Sequence, residues 1–119
     1  MDPIRNVKSP VSANVQNKLD GGCQNAVLAI GLLQGKWKMQ ILCAMRVAPV
    51  RLGQLARLIP LASKKVLTEN LRALESSGVV ARREFSGTVR HVEYDFSENM
   101  RPAICSILDR LTELGSFRE

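Results

Sequence analysis

Near the middle of the chain, three side chains that can donate hydrogen bonds recur at helical spacing. Lys65, Thr68 and Arg72 follow one another at intervals of three and four residues. At about 100° per residue they share one face of a helix. The apolar residues of the opposite face are Leu67, Leu71 and Leu74. Burying these leucines against a core therefore presents Lys65, Thr68 and Arg72 outward, where they can bind an anionic or polar surface.

The charge around this segment has one sign. From Gly21 to Thr68 the sequence contains no acidic residue, although it contains seven lysines and arginines: Lys36, Lys38, Arg46, Arg51, Arg57, Lys64 and Lys65. A solvated basic surface that only maintains solubility is one interpretation, but such surfaces usually mix the two signs. A one-signed block over half of a small domain favours a face that binds a polyanion, and we expect nucleic acid.

Other residue types exclude several classes of function. Three cysteines and one histidine, far apart, cannot supply the four paired ligands of a structural zinc site. There is no glycine-rich phosphate loop and no Ser, His and acid set, so we predict no catalytic residues, no metal and no cofactor. No apolar run reaches the roughly 20 residues that span a bilayer. We expect a cytoplasmic protein without a signal peptide.

The elements that must position these residues follow from hydrophobic periodicity and stop signals. Residues 1–22 read as an N-terminal arm that ends in a break at Gly21–Gly22. Helices are predicted over 23–33, 37–45, 52–59 and 63–77. Two strands over 79–85 and 92–96 form a hairpin that turns near Ser86–Gly87–Thr88. A last helix is capped by Ser97 and ended by Gly115.

This order predicts a mainly α fold with a small β-hairpin wing, a winged helix-turn-helix with an added C-terminal dimerisation helix. The winged domain covers residues 23–119. In the last helix, the apolar stripe expected to form the interface contains Ile104, Leu108 and Leu111. The stripe could instead belong to the chain's own core, but a chain this short has little core left to cover it.

The helix from Ser63 is expected to enter the major groove, and the hairpin to contact the DNA backbone. The residues expected to bind DNA are Ser63, Lys64, Lys65, Thr68, Arg72, Arg82, Arg83 and Arg90. Glu69 shares the outward face and its role stays open, whereas Asn70 lies nearer the apolar side. We assign Trp37 and Cys43 to the core, Cys105 to packing or an interface, and His91 to the wing surface.

Several segments resemble the HxlR-type family of bacterial winged-helix regulators. They include Gly35–Lys38, Arg51–Leu55, Lys65–Glu75, Gly78–Val80 and Val92–Tyr94, which follow one another in order and together span about half of the chain. The resemblance implies a dimeric DNA-binding regulator whose first and last helices form the interface. Leu61 stands where the family usually has glycine. A left-handed conformation there would cost leucine about 1–2 kcal/mol, so the turn is expected to differ.

Some members of that family sense electrophiles or oxidants through a cysteine near the N-terminus, and Cys23 lies close to that position. No carboxylate follows Cys23 for more than forty residues, and it opens a predicted helix. Both features favour a thiolate. The resemblance and the local charge therefore make Cys23 a candidate thiol sensor, with an inert, half-buried thiol as the alternative.

We therefore expect a homodimer that binds double-stranded DNA at a roughly palindromic operator and regulates transcription. The main alternative is a winged-helix protein–protein adaptor without specific DNA binding. The operator, the regulated gene, the direction of regulation and the small-molecule or oxidant effector stay open at this stage.

Overall fold

The computed structural model describes residues 20–117, which divide into two units between Gly31 and Leu32. The first unit holds most of helix α1, Gly21–Leu33. Asp20 caps this helix, because its Oδ1 accepts a hydrogen bond from the backbone N–H of Cys23 at 2.7 Å. Gly21 and Gly22 are therefore the first turn of a helix and not the predicted break. The rest of the predicted arm, residues 1–19, lies outside the described residues.

The second unit contains the predicted order of elements. These are α2 (Lys36–Met45), α3 (Leu52–Leu58), α4 (Lys64–Ser76), β1 (Val80–Phe85), β2 (His91–Phe96) and α5 (Arg101–Ser116). The predicted fold class is confirmed: a mainly helical winged helix-turn-helix with one antiparallel hairpin. No helix among residues 20–117 is long and apolar enough to cross a membrane.

One apolar core holds this unit together, and α4 lies against most of it. This helix packs on α2, α3 and β1. The largest fully buried side chains are Phe96, Ile41, Leu42, Met45, Leu55, Leu67, Leu71, Leu74 and Val79. Since the three leucines of α4 are among them, this helix cannot rotate about its axis without exposing its apolar face.

Both predicted ends of α4 are confirmed. At the start, Ser63 Oγ accepts a hydrogen bond from the backbone N–H of Val66 at 3.1 Å. At the end, Gly78 has φ of 86°. Its N–H donates to the Glu75 carbonyl, and the N–H of Val79 donates to the Leu74 carbonyl, the bond pattern of a Schellman motif. No non-glycine residue within 20–117 has positive φ, so Leu61 avoids left-handed strain.

The wing consists of β1 and β2, which pair over six residues, and a single residue outside the hairpin bridges to β2. Val80 pairs with Phe96 at its base, and Phe85 pairs with His91 near its tip. Val50, in the loop before α3, exchanges two backbone hydrogen bonds with Tyr94 at 2.8 and 2.9 Å. The sequence analysis missed this bridge, which fastens the start of α3 to the wing.

Helix α5 differs from its prediction at both ends. Ser97 does not cap it, because its hydroxyl donates to the Gly78 carbonyl at 2.5 Å and the helix begins after Met100. Gly115 lies inside the last turn and does not end the helix. Two ion pairs hold α5 to its unit: Arg101 with the buried Asp95 at 2.5 Å, and Asp109 with Arg46, the residue that caps the end of α2.

Candidate nucleic-acid interface

Helix α4 presents a polar, mostly cationic face to solvent. Leu67, Leu71 and Leu74 are at most 1% exposed. On the opposite side, Lys65 and Arg72 are exposed and Thr68 is half-buried. Neither Lys65 nor Arg72 forms an ion pair with any residue in 20–117. Both charges are therefore available to an external partner, as the sequence spacing predicts.

The N-terminus of α4 extends this face. Ser63 and Lys64 are exposed beside Lys65. The oxygen of Ser63 is used as a helix cap, but its O–H proton remains able to donate. No acidic residue lies in the first turn of the helix. The partial positive charge of the helix terminus and two lysines therefore act together on any anion placed there.

Two further side chains of α4 modify this face. Asn70 donates from Nδ2 to the Val66 carbonyl at 2.8 Å and is half-buried, so its amide is already engaged by the helix itself. Glu69 is exposed among the cationic side chains. A carboxylate there repels phosphate, and it can accept a hydrogen bond from the exposed amino group of cytosine.

The basic residues of the wing are not equivalent. Arg82 donates to Glu84 Oε2 at 2.5 Å on the same strand face. The hydrogen bond with Glu84 is the main cause that raises the pKa of Arg82, and a hydrogen bond with Tyr94 is the second cause. The same bond from Arg82 lowers the pKa of Glu84. Arg83 and Arg90 are exposed and form no ion pair with a described residue. Of the three arginines predicted on the wing, Arg82 is therefore neutralised by an ion pair, whereas Arg83 and Arg90 form none with a described residue.

Glu84 is a residue of the candidate interface that was not predicted from the sequence, and it neutralises Arg82. Side chains two positions apart lie on the same face of a strand, so an acid two residues after Arg82 was the available signal. Near the tip of the wing, His91 stacks on Phe85 with ring centroids 4.7 Å apart. The Nε2 of His91 lies 3.2 Å from Glu93 Oε2. His91 is therefore occupied by neighbours of the wing.

The lysines at the start of α2 continue the cationic surface. Lys36 is exposed, with its Nζ 4.6 Å from the centroid of the Trp37 ring. Lys38 is half-buried, and Trp37 is half-buried against the core, as predicted. Neither lysine is paired with a carboxylate among residues 20–117.

The thiols differ partly from their predictions. Cys43, predicted to be buried, is exposed because it lies on the outer side of α2, away from Ile41, Leu42 and Met45. Cys105 is half-buried against the core, as packing predicts. Cys23 is exposed at the start of α1. The Asp20 carboxylate occupies this helix terminus, because it accepts a hydrogen bond from the backbone N–H of Cys23. No three potential metal ligands cluster within 20–117.

The predicted interface on α5 requires a correction. Ile104 and Leu108 are 5% and 2% exposed in the single chain, because they fill its own core. Leu111 is 37% exposed, and two further apolar side chains beyond it, Leu114 and Phe117, are 64% and 84% exposed. The uncovered apolar surface of α5 therefore lies in its last turns. In α1, the exposed apolar side chains are Val27, Leu28, Ile30 and Leu32.

Comparisons with known proteins give consistent results. Residues 32–118 match the model of the HxlR-like helix-turn-helix family. An uncharacterized HTH-type transcriptional regulator from Methanothermobacter thermautotrophicus is 36% identical over 90 residues, covering 76% of this chain and 68% of that protein. The HTH-type transcriptional regulator YtcD from Bacillus subtilis, also uncharacterized, is 39% identical over 85 residues, covering 71% and 67%.

Two solved structures are similar to most of this chain. The redox regulator HypR in its reduced form has a TM-score of 0.71 and 27% identity, covering 77% of this chain and 90% of HypR. The reduced form of the transcriptional regulator YodB from B. subtilis has a TM-score of 0.63 and 21% identity, covering 91% of each chain. The second likeness concerns the fold alone.

Proposed function

This chain belongs to the HxlR-like helix-turn-helix family of transcriptional regulators, and we propose that it binds a specific double-stranded DNA operator as a homodimer. Helix α4 reads base edges in the major groove, and the wing contacts the backbone. The observation that carries this proposal is the orientation of α4. Because its leucines are buried, Lys65, Thr68 and Arg72 face outward on a helix narrow enough for the major groove.

The division of labour rests on side-chain chemistry. Lysine and arginine can donate to guanine O6 and N7, and threonine can bond several bases or contact a thymine methyl group. Arg83 and Arg90 extend from a short ribbon beside the helix and suit phosphate contacts, which add affinity without sequence information. Ser63 and Lys64 suit a phosphate at the helix N-terminus.

The homodimer is supported by apolar surface that the single chain leaves exposed. In α5 this surface centres on Leu111, Leu114 and Phe117, and α1 supplies further exposed apolar side chains of its own. Exposed apolar patches of this kind mark interaction surfaces. A two-fold dimer buries the same patch on both chains, so the exposed apolar side chains of one copy can pack against those of the other.

Selection from a random duplex pool tests the proposal directly. Purified chain, with and without thiol reductant, is used to enrich bound sequences, and the products are titrated at several salt concentrations. The expected product is a roughly palindromic motif bound more tightly than scrambled duplex. A chain that binds heparin but enriches no motif would contradict specific recognition, and one that binds neither polyanion would favour the adaptor function.

Thiol regulation at Cys23 is the second part of the proposal. It is supported by the exposure of Cys23 and by the likeness to the redox regulator HypR, a protein solved in reduced and oxidized forms. Mild oxidant is expected to weaken operator binding by the wild-type chain and not by Cys23→Ser. Cys43→Ser is the matched control, because Cys43 is equally a free, exposed thiol. Equal loss of binding by wild type and Cys23→Ser would disprove this role.

A further inference from the structure

Helices α2 and α3 enclose an apolar groove that the DNA-binding proposal does not use. It consists of two cavities, of about 300 and 440 Å³, which share Ala44 and Leu58 as lining residues. The first cavity continues to Val47 and Pro49, and the second to Met39 and Cys43. We call this feature the α2–α3 groove.

The apolar walls of the groove are exposed to solvent. Val47 is 89% exposed and Leu58 is 63% exposed, although both are aliphatic side chains. Each would lose water-exposed area on contact with an apolar molecule, which is favourable by roughly 25 cal/mol per Å². The groove therefore has the wall chemistry of a ligand site that is open in the single chain.

The electrostatics of the groove select the kind of ligand. Arg57 is the one charged residue that lines either cavity, and it forms no ion pair with any residue in 20–117. No carboxylate occurs in the sequence between Asp20 and Glu69, so neither helix carries a competing acid. A guanidinium group binds a carboxylate through two parallel hydrogen bonds, which a neutral ligand cannot reproduce.

We propose that the α2–α3 groove binds a small amphipathic carboxylate, an aromatic or medium-chain acid. Its carboxylate pairs with Arg57 in the first cavity, and its apolar body lies against Leu58, which both cavities share, and extends over Cys43 in the second. The two cavities, of about 300 and 440 Å³, are open to solvent and together offer room for a small ligand that lies along the groove. An acidic protein helix would share the charge but needs a far larger contact, of about 800 Å² on each side.

Binding at this position has a direct route to α4. Ile59 lines the groove, and only the turn from Pro60 to Ala62 separates it from Ser63, the cap of α4. A ligand bound against α3 therefore lies next to the turn that leads into α4, and we expect it to change the affinity of α4 for DNA. This regulatory consequence rests on the proposed function, whereas the binding site itself does not.

The native thiol of Cys43 reports occupancy of the groove. In a Cys23→Ser/Cys105→Ser background, the rate of alkylation of Cys43 by iodoacetamide, a neutral reagent, is followed by mass spectrometry. The probe is 1-naphthoate, with 1-naphthamide as its neutral isostere. We expect 1-naphthoate to slow alkylation in a saturable way and the amide to bind about tenfold more weakly, which corresponds to about 1.4 kcal/mol.

Two charge-removing variants locate the effect. Arg57→Gln is expected to abolish the preference for the acid over the amide, while circular dichroism shows an intact fold. Arg83→Gln removes the same charge from the wing and is expected to leave the preference unchanged. The proposal is overturned by a lack of saturable protection, by equal protection from acid and amide, or by a preference that survives Arg57→Gln.

The remaining outcomes are also decisive. If alkylation slows with protein concentration alone, a second copy covers the groove and the small-ligand site is wrong. Operator binding is titrated separately, with and without 1-naphthoate. Protection of Cys43 in a chain that selects no DNA motif would retain the ligand site and reject the proposed function. Specific DNA binding without protection of Cys43 would do the reverse.

Discussion

The charged side chains of the proposed DNA-binding face are not equally available to DNA phosphate. Lys65, Arg83 and Arg90 are exposed and have no carboxylate partner within residues 20–117. Arg82 already donates to Glu84, so a phosphate must displace that carboxylate before it gains the arginine. The lowered pKa of Glu84 keeps its carboxylate ionised, and the pair intact, until the pH falls below the usual range of glutamate.

The first prediction concerns this competition. Glu84→Gln removes the internal partner of Arg82 and is expected to strengthen binding to specific and scrambled duplexes alike. The slope of log affinity against log salt should steepen by about 0.9 if Arg82 gains one phosphate contact. Filter binding or fluorescence anisotropy at several salt concentrations measures both quantities.

Glu93→Gln is the matched control for Glu84→Gln. It also removes one wing carboxylate, but Glu93 contacts His91 instead of an arginine. It should therefore raise affinity through long-range charge alone and change the slope less. Identical effects of the two substitutions would show that net charge, and not the release of Arg82, controls the wing.

The second prediction distinguishes a base contact, expected for Lys65, from a phosphate contact, expected for Arg90. Lys65→Ala should cost about 1–3 kcal/mol on the selected operator and much less on scrambled DNA, because a base contact exists only in the correct sequence. Arg90→Ala should weaken both duplexes equally and flatten the salt dependence by about 0.9. Titration of both variants against both duplexes checks this. Equal losses on both duplexes for Lys65→Ala would exclude it as a base-reading residue.

At the scale of elements, α4 is predictable from sequence because its signals are local. Ser63 caps the helix, Gly78 ends it and the leucine spacing sets its buried face, as the structure confirms. Each of these signals acts within a few residues of its own position. Tertiary contacts therefore have little influence on where α4 begins and ends and on which of its faces is buried.

Helix α5 was less predictable because its surroundings decide its role. Periodicity identifies an apolar stripe, but whether the chain or a partner covers it depends on packing. Ile104 and Leu108 fill the chain's own core, and only the C-terminal part of the stripe is exposed. Ser97 is similarly diverted by the distant Gly78 carbonyl. The outward orientation of Cys43 on α2, by contrast, follows from spacing of about 100° per residue, which places it opposite Ile41, Leu42 and Met45, so its assignment to the core was wrong.

The third prediction follows from this division of the stripe. Leu114→Glu places a charge on an exposed position and is expected to yield a folded monomer. Leu108→Ala removes a side chain that is 2% exposed and should cost about 2–5 kcal/mol of the free energy of unfolding while retaining the dimer. Sedimentation velocity at micromolar concentration reports assembly, and urea denaturation reports stability.

The wild-type protein sets the reference for this pair. It should sediment as a dimer, and its apparent stability should depend on concentration if folding and association are coupled. A wild-type monomer at micromolar concentration would contradict the dimer. A Leu114→Glu chain that remains a dimer would place the interface away from the last turns of α5.

For the molecule as a whole, ion pairs join the proposed interface helix to the DNA-binding body. Asp109 of α5 pairs with Arg46, which caps the end of α2, and Arg101 of α5 pairs with Asp95 at the end of β2. Asp95 is nearly buried, and its Oδ1 also accepts from the backbone N–H of Phe96 at 2.8 Å. The orientation of α5 is thereby tied to the helices and strands that carry α4 and the wing.

The last prediction uses this connection. If α5 dimerises, two α4 helices occupy fixed positions and should meet half-sites about 34 Å apart, one turn of DNA. Inserting about five base pairs, half a helical turn, at the operator centre rotates one half-site to the opposite side of the duplex. Affinity should then fall to that of a single half-site, as measured by anisotropy on matched duplexes. The Leu114→Glu monomer should be indifferent to the insertion, since it has no second α4 helix to place. A wild-type chain that tolerates the insertion would show that its two DNA-binding units are not held in register.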